Sequence, residues 1–221
     1  MPARRVRVSS QQREHAAAVF AGLHRLYPDA HCELVHRNAF ELLVATILSA
    51  QCTDKRVNMV TPGLFKRYPT PAAMANATLA DLEAIIRSTG FYRNKAKAIR
   101  GAAVAIVEHH GGKVPDTMDA LLVLPGVARK TANVVLGNAF DRNEGVVVDT
   151  HVQRLSRRLG LTRQATPERI ERDLMARFPA PQWCLLSHLL IFHGRRVCKA
   201  QKPMCEACEL REMCPRIGVK K

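Results

Sequence analysis

Four cysteines crowd into 17 residues, Cys198, Cys205, Cys208 and Cys214, with spacing C-x6-C-x2-C-x5-C and Pro215 directly after. Four soft thiolates on one short loop call for a metal centre. Structural zinc usually draws on two separated C-x2-C pairs, and here there is one. A cubane [4Fe-4S] cluster accepts such irregular wrapping more readily. Zinc is the alternative, and visible absorption separates the two because only iron–sulfur is brown. Cys32, Cys52 and Cys184 each stand in an apolar stretch or at its edge and read as small buried hydrophobes.

A second group lies in Leu121-Leu-Val-Leu-Pro-Gly-Val-Ala-Arg-Lys-Thr-Ala132. It predicts a short helix, a Pro125-Gly126-Val127 turn and a second helix opening at about Arg129, with Lys130 in its first turn. Such a turn points backbone amides outward beside a helix N-terminus, a preformed site for phosphate. Contacts of that kind fix register on a nucleic acid without reading its sequence. Taken alone, the segment has an ordinary helix–turn–helix corner as its alternative. Lys130 falls in the first turn of the second helix; a lysine amine can attack a sugar C1′, although a lysine on a basic helix is ordinarily a solvated charge. In Val146-Val147-Val148-Asp149-Thr150-His151 an apolar run ends on an aspartate where a helix should start. Asp149 is an N-cap by type and position, and a carboxylate fixed there could also stabilise an oxocarbenium-like sugar.

The elements that must hold these groups are helices. Phe40, Leu43, Val44, Ile47 and Leu48 recur at i, i+3, i+4, i+7 and i+8, one broad apolar stripe. Comparable segments are predicted over 11–27, from Asp54 as cap to 65, from Thr78 to Gly90, and over 93–110, 119–123 and 129–140. Three more follow, at 150–159, 166–178 and 183–192. Tyr68-Pro69-Thr70-Pro71 reads as a break, and Val146–Val148 is too short and isolated to build a sheet. The fold class is all-α.

Lys and Arg number 34 against 19 Asp and Glu, a formal charge of +15 with a pI near 10.1. That excess points to a polyanionic partner, nucleic acid first. A membrane surface fits poorly, because the basic residues are scattered rather than gathered beside a long apolar helix. No run approaches the roughly 18 apolar residues of a membrane span. The basic stretch from Met1 to Arg13 lacks an apolar core, so no secretory leader is expected. The expected setting is a reducing cytoplasm in association with the nucleoid, where cysteines stay unpaired.

Leu124-Pro125-Gly126-Val127 with Arg129-Lys130-Thr131-Ala132, Val148-Asp149-Thr150-His151 and the four-cysteine loop together resemble the endonuclease III family of helix–hairpin–helix DNA glycosylases. The likeness runs from about Arg13 to Cys214. It implies an iron–sulfur enzyme on damaged double-stranded DNA, a monomer without a membrane partner, that excises oxidised pyrimidines and cleaves the abasic site by β-elimination. It implies Lys130 as the Schiff-base nucleophile, Asp149 as the catalytic carboxylate, Gln51 as the residue filling the gap left by the flipped nucleotide, and Phe91 as an apolar wedge. The alternative for Phe91 is a core aromatic. Pro125, Gly126, Val127, Ala128 and Arg129 would grip phosphate, with His151, Lys199 and Lys202 as further DNA contacts. The cluster would be structural. Two helical lobes with DNA bound between them follow from the likeness: a six-helix barrel at 31–142, with its hairpin at about 118–137, and a cluster domain from 11–30 plus 143–221. Residues 1–10 would form a flexible basic tail. One position departs: the family usually has a second hairpin glycine where this chain has Ala128. Either the backbone there tolerates a β-carbon, or phosphate binding is altered. A different class of reading is a non-catalytic DNA-binding or redox-sensing module on the same scaffold.

Overall fold

The computed structural model describes residues 6–219; Met1 to Arg5, half of the expected tail, lie outside the described residues. Among the described residues there are eleven α-helices, three single 3-10 turns and no strand. The chain divides into two compact units, Cys32–Arg142 and the residues up to His31 with those from Asn143 onward.

The Cys32–Arg142 unit holds α2 (Ala39–Ser49), α3 (Asp54–Arg67), α4 (Pro71–Ala75), α5 (Leu79–Ile86), α6 (Tyr92–His110), α7 (Met118–Leu122) and α8 (Arg129–Ala139). Every residue of α2 from Phe40 to Leu48 is buried. A helix apolar on all sides belongs at the centre of its unit, and α3, α6 and α8 pack around it. Its one carboxylate, Glu41, is held by Arg37, whose Nε and main-chain N–H donate at 3.0 and 2.8 Å. Burial alone would raise the Glu41 pKa, but the Arg37 hydrogen bonds and charge outweigh it and hold the group below the usual carboxylate value.

Threonine and asparagine hydroxyl or amide oxygens start most of these helices. Asn38 accepts from Glu41 N, and Thr78 from Asp81 N. Two expectations change. The cap of α3 is Thr53, accepting from Arg56 N at 3.2 Å, while Asp54 is the first helical residue. The break holds at residues 68–70, but an unforeseen short helix, α4, follows it at once, because Thr70 caps Ala73 N and Pro71 takes the first helical position, where its missing N–H costs nothing.

The second unit packs α1 (Ser10–Leu26), α9 (Thr150–Arg158), α10 (Pro167–Arg177) and α11 (Trp183–Arg196) around Val19, Leu23, Leu155, Leu174, Leu186 and Leu190. Ser9 and Gln12 form a reciprocal capping box that opens α1, so the last residues of the expected tail are ordered. Val146–Val148 forms no strand; the Val147 N–H instead donates to Ser187 Oγ of α11 at 3.0 Å. The cysteine loop is fastened by Leu210, which is fully buried. Its Cδ2 would lie 2.6 Å from a β-carbon placed on Gly22, so α1 admits the loop only because that residue has none.

Candidate functional site

The helix–hairpin–helix consists of α7, a turn through Pro125, Gly126 and Val127, and α8. The Val127 N–H donates to Leu124 O at 3.1 Å and closes the turn. Pro125 lies over Gly101 of α6, and a β-carbon on Gly126 would come within 2.6 Å of Ala98 Cβ. Gly126 has φ +77°, so both conformation and space require glycine. Ala128 does not share that need. At φ −97° and ψ 169° it is extended, a backbone in which a β-carbon is unstrained. Ala128 is also the N-cap of α8 and provides no side-chain acceptor for the first amides. Gly126, Ala128, Arg129 and Lys130 are exposed around those amides, while Val127 is buried and anchors the turn.

Two more expected contacts stand in the same unit. Gln51 is exposed in the α2–α3 connection at φ +52°, and Phe91 caps α6 at φ +47° directly after Gly90 at φ +72°. Left-handed backbone is rare for residues with a β-carbon and marks positions held by their surroundings. Phe91 is 64 % exposed, so it is no core aromatic.

In the other unit Asp149 is the N-cap of α9, accepting the Val152 N–H at 2.8 Å. His151, in the first turn, has its Nδ1 3.1 Å from Arg154 Nη2. The same guanidinium donates to Gly194 O at 3.0 Å and to Cys198 O at 3.1 Å. Arg158, one turn further, donates to Lys199 O at 2.7 Å, Ala200 O at 3.0 Å and Cys198 Sγ at 3.4 Å. The helix that begins at Asp149 therefore grips the start of the cysteine loop with two arginines. Sequence reading missed both, although their i, i+4 spacing puts them on one helix face.

All four cysteines line one cavity together with Arg158, His193 and Leu159. Burial pushes the Cys208 and Cys214 thiols above their usual pKa, and the charges of the other cysteines push the same way. His193, 2 % exposed, lies with Nε2 3.5 Å from Cys208 Sγ and Nδ1 3.0 Å from Tyr27 Oη. Among the described residues no three His, Cys, Asp or Glu side chains gather closely enough to hold a single metal ion. Lys199 and Lys202 are exposed on the loop, Lys202 at φ +50°. Arg196 is exposed as well, and its guanidinium covers two rings, 4.4 Å from the Phe192 ring centre and 5.3 Å from that of Tyr27.

A helical fold with a glycine hairpin of this build is that of the HhH-GPD superfamily of base excision DNA repair proteins, whose pattern residues 44–180 match. Endonuclease III of Synechocystis sp. is 54 % identical over 210 residues, covering 95 % of this chain and 96 % of its own length. A non-covalent Endonuclease III–DNA complex aligns with TM-score 0.88 and 45 % identity over 92 % of this chain and 95 % of that one. A trapped Endonuclease III–DNA covalent intermediate gives the same score and identity over 92 % and 96 %. The chain belongs to the endonuclease III family.

Proposed function

We propose that this chain is a bifunctional DNA glycosylase and abasic-site lyase that removes oxidised pyrimidines from damaged double-stranded DNA and cleaves the strand through a Lys130 Schiff base. What supports the choice of nucleophile is the exposure of Lys130 in the first turn of α8, directly behind the hairpin. A phosphate held by the hairpin would bring the neighbouring sugar to that amine. The relatives captured as a DNA complex and as a covalent DNA intermediate support the same chemistry.

The damaged nucleotide leaves the stack, because C1′ is out of reach inside a duplex. Gln51 fills the gap and Phe91 wedges the neighbouring step. Amides at Gly126 to Lys130 and the side chains of Arg129, His151, Lys199 and Lys202 hold backbone phosphates. Lys130 Nζ attacks C1′, the bond from C1′ to the base breaks, and the base departs with a proton. Ring opening gives a protonated imine. Loss of a C2′ proton then expels the 3′ phosphate, and water releases the lysine. Asp149 stabilises the positive charge that develops on the sugar.

Cys198, Cys205, Cys208 and Cys214 fit a [4Fe-4S] cluster. When bound, the cluster supplies thiolate–iron bonds that tie the loop together. The carbonyls of Cys198, Lys199 and Ala200 are already pinned by Arg154 and Arg158, which presents Lys199 and Lys202 to DNA. The Cys32–Arg142 unit, with seven helices where six were expected, serves as the helical barrel and the other unit as the cluster domain. The protein works as a monomer on the nucleoid, in the cytoplasm; no helix among the described residues is long and apolar enough to cross a membrane.

Borohydride trapping on duplexes bearing thymine glycol or an abasic site tests this. A covalent adduct is expected with the wild type and none with Lys130→Ala. Binding without any adduct on either duplex would favour the non-catalytic module.

A further inference from the structure

Lys95 is the most deeply buried lysine of the described chain, 5 % exposed in the first turn of α6. Its ammonium meets no carboxylate among the described residues. It donates instead to two main-chain carbonyls, Leu48 O at 2.8 Å and Thr89 O at 2.7 Å. Leu48 is in the last turn of α2, and Thr89 ends the 3-10 turn Arg87–Thr89. Carbonyls at such ends lack partners within their own helix, and a cation there also meets the negative end of the dipole. The Lys95 main-chain N–H donates to a third carbonyl, Phe91 O, at 3.1 Å.

The two ends so joined each lead into a left-handed residue. Gln51 follows Leu48 by three positions and Phe91 follows Thr89 by two, at φ +52° and +47°. Each segment also has short local bonds, Cys52 N–H to Ser49 O at 3.0 Å and Thr89 Oγ1 to Ile86 O at 2.8 Å, but none of these joins one segment to the other. The Ala50 N–H to Ile47 O and Gly90 N–H to Arg87 O bonds are long, 3.4 and 3.5 Å. Keeping an ammonium in the interior with neutral acceptors is costly, and burial lowers the Lys95 pKa below the ordinary lysine value. An apolar side chain of similar length would fill that space without such a cost. The arrangement is accounted for if the group has work at the ends it binds.

We propose that Lys95 is a positioning residue for strand penetration: its buried ammonium ties the C-terminal ends of α2 and of the 87–89 turn to one point, and so holds Gln51 and Phe91 as a single rigid two-pronged wedge. This rests on the reading of those two residues as gap filler and wedge. A side chain entering a base stack does so productively only when its backbone does not yield; misplacement by about 1 Å can cost ~100-fold in rate.

Lys95→Met, Gln51→Ala and Phe91→Ala, singly and combined, are compared on a fully paired thymine glycol duplex and on the same lesion inside an unpaired bubble, where little stack has to be opened. Lys95→Met is expected to lower excision on the paired duplex by ~10- to 100-fold and to lose much less on the bubble, with a reduced 2-aminopurine signal opposite the lesion. In the Gln51→Ala, Phe91→Ala background the same substitution should add little. Equal loss on both substrates, or full additivity with the wedge variants, overturns the proposal and assigns Lys95 to general structure. If the wedge variants cut the paired duplex at the wild-type rate, the wedge reading falls and the proposal falls with it. Should Lys95→Met not fold, hydrogen exchange on the wild type decides. The Cys52 and Gly90 amides are expected to open with the same denaturant dependence, and independent opening refutes a shared strut.

Discussion

At Asp149 a single carboxylate caps α9 and is proposed to face the developing sugar charge, and substitution can part the two roles. Asparagine caps a helix about as well as aspartate does, whereas alanine costs ~1 kcal/mol. Asp149→Asn should therefore keep the wild-type melting temperature and lose ~100-fold or more in single-turnover excision. Asp149→Ala should lose both. An asparagine variant that cuts at the wild-type rate would leave Asp149 as a cap alone. Ala128 makes a related point at the same scale. Its type suggested either a tolerant backbone or an altered phosphate grip, and its extended φ settles for the first. The absent glycine leaves the hairpin backbone unstrained.

The hairpin turn is rigid because of what it rests on. Pro125 and Gly126 sit against Gly101 and Ala98, one helical turn apart on α6. Gly126→Ala would impose a left-handed alanine and drive its β-carbon into Ala98, at an expected cost of about 2–4 kcal/mol. Ala128→Gly, two residues on, should change stability by less than ~1 kcal/mol. Urea unfolding of the two variants checks the contrast, and equal effects would mean that the turn is not seated on α6. Most helices were legible at this scale because their signals are local: a capping oxygen, a stripe at helical spacing, a glycine stop. The short α4 was not, since Pro69 and Pro71 are also the marks of a loop and only the Thr70 hydrogen bond distinguishes the cases.

For the molecule as a whole, the half-buried His188 couples folding to pH. Burial lowers the His188 pKa to about 4, with a smaller push from His31, and its Nε2 lies 3.6 Å from Cys184 Sγ. The unfolded chain takes up a proton near the ordinary histidine value of 6.5, while the folded chain refuses it until about 4. Stability is therefore intact above that ordinary value and is lost as pH falls through this window. Between pH 7 and 5 the loss from this one group should be ~2 kcal/mol. Urea unfolding of wild type and His188→Gln at the two pH values measures it, and equal pH dependence would show that His188 is not held neutral.

By itself the chain's order of residues determined the all-α class, the place of each long helix, the hairpin at Pro125-Gly126 and the family, because each of these is written within a dozen neighbouring positions. Tertiary structure alone decided that Phe91 faces outward, that Ala128 needs no positive φ, that Arg154 and Arg158 grip the cysteine loop, and that Lys95 is sealed inside with two helix ends. Those outcomes depend on partners such as Leu48 and Cys198, more than forty residues away for Lys95 and Arg154. Spacing along the chain has no reach over that distance; only packing brings a donor to an unpartnered carbonyl.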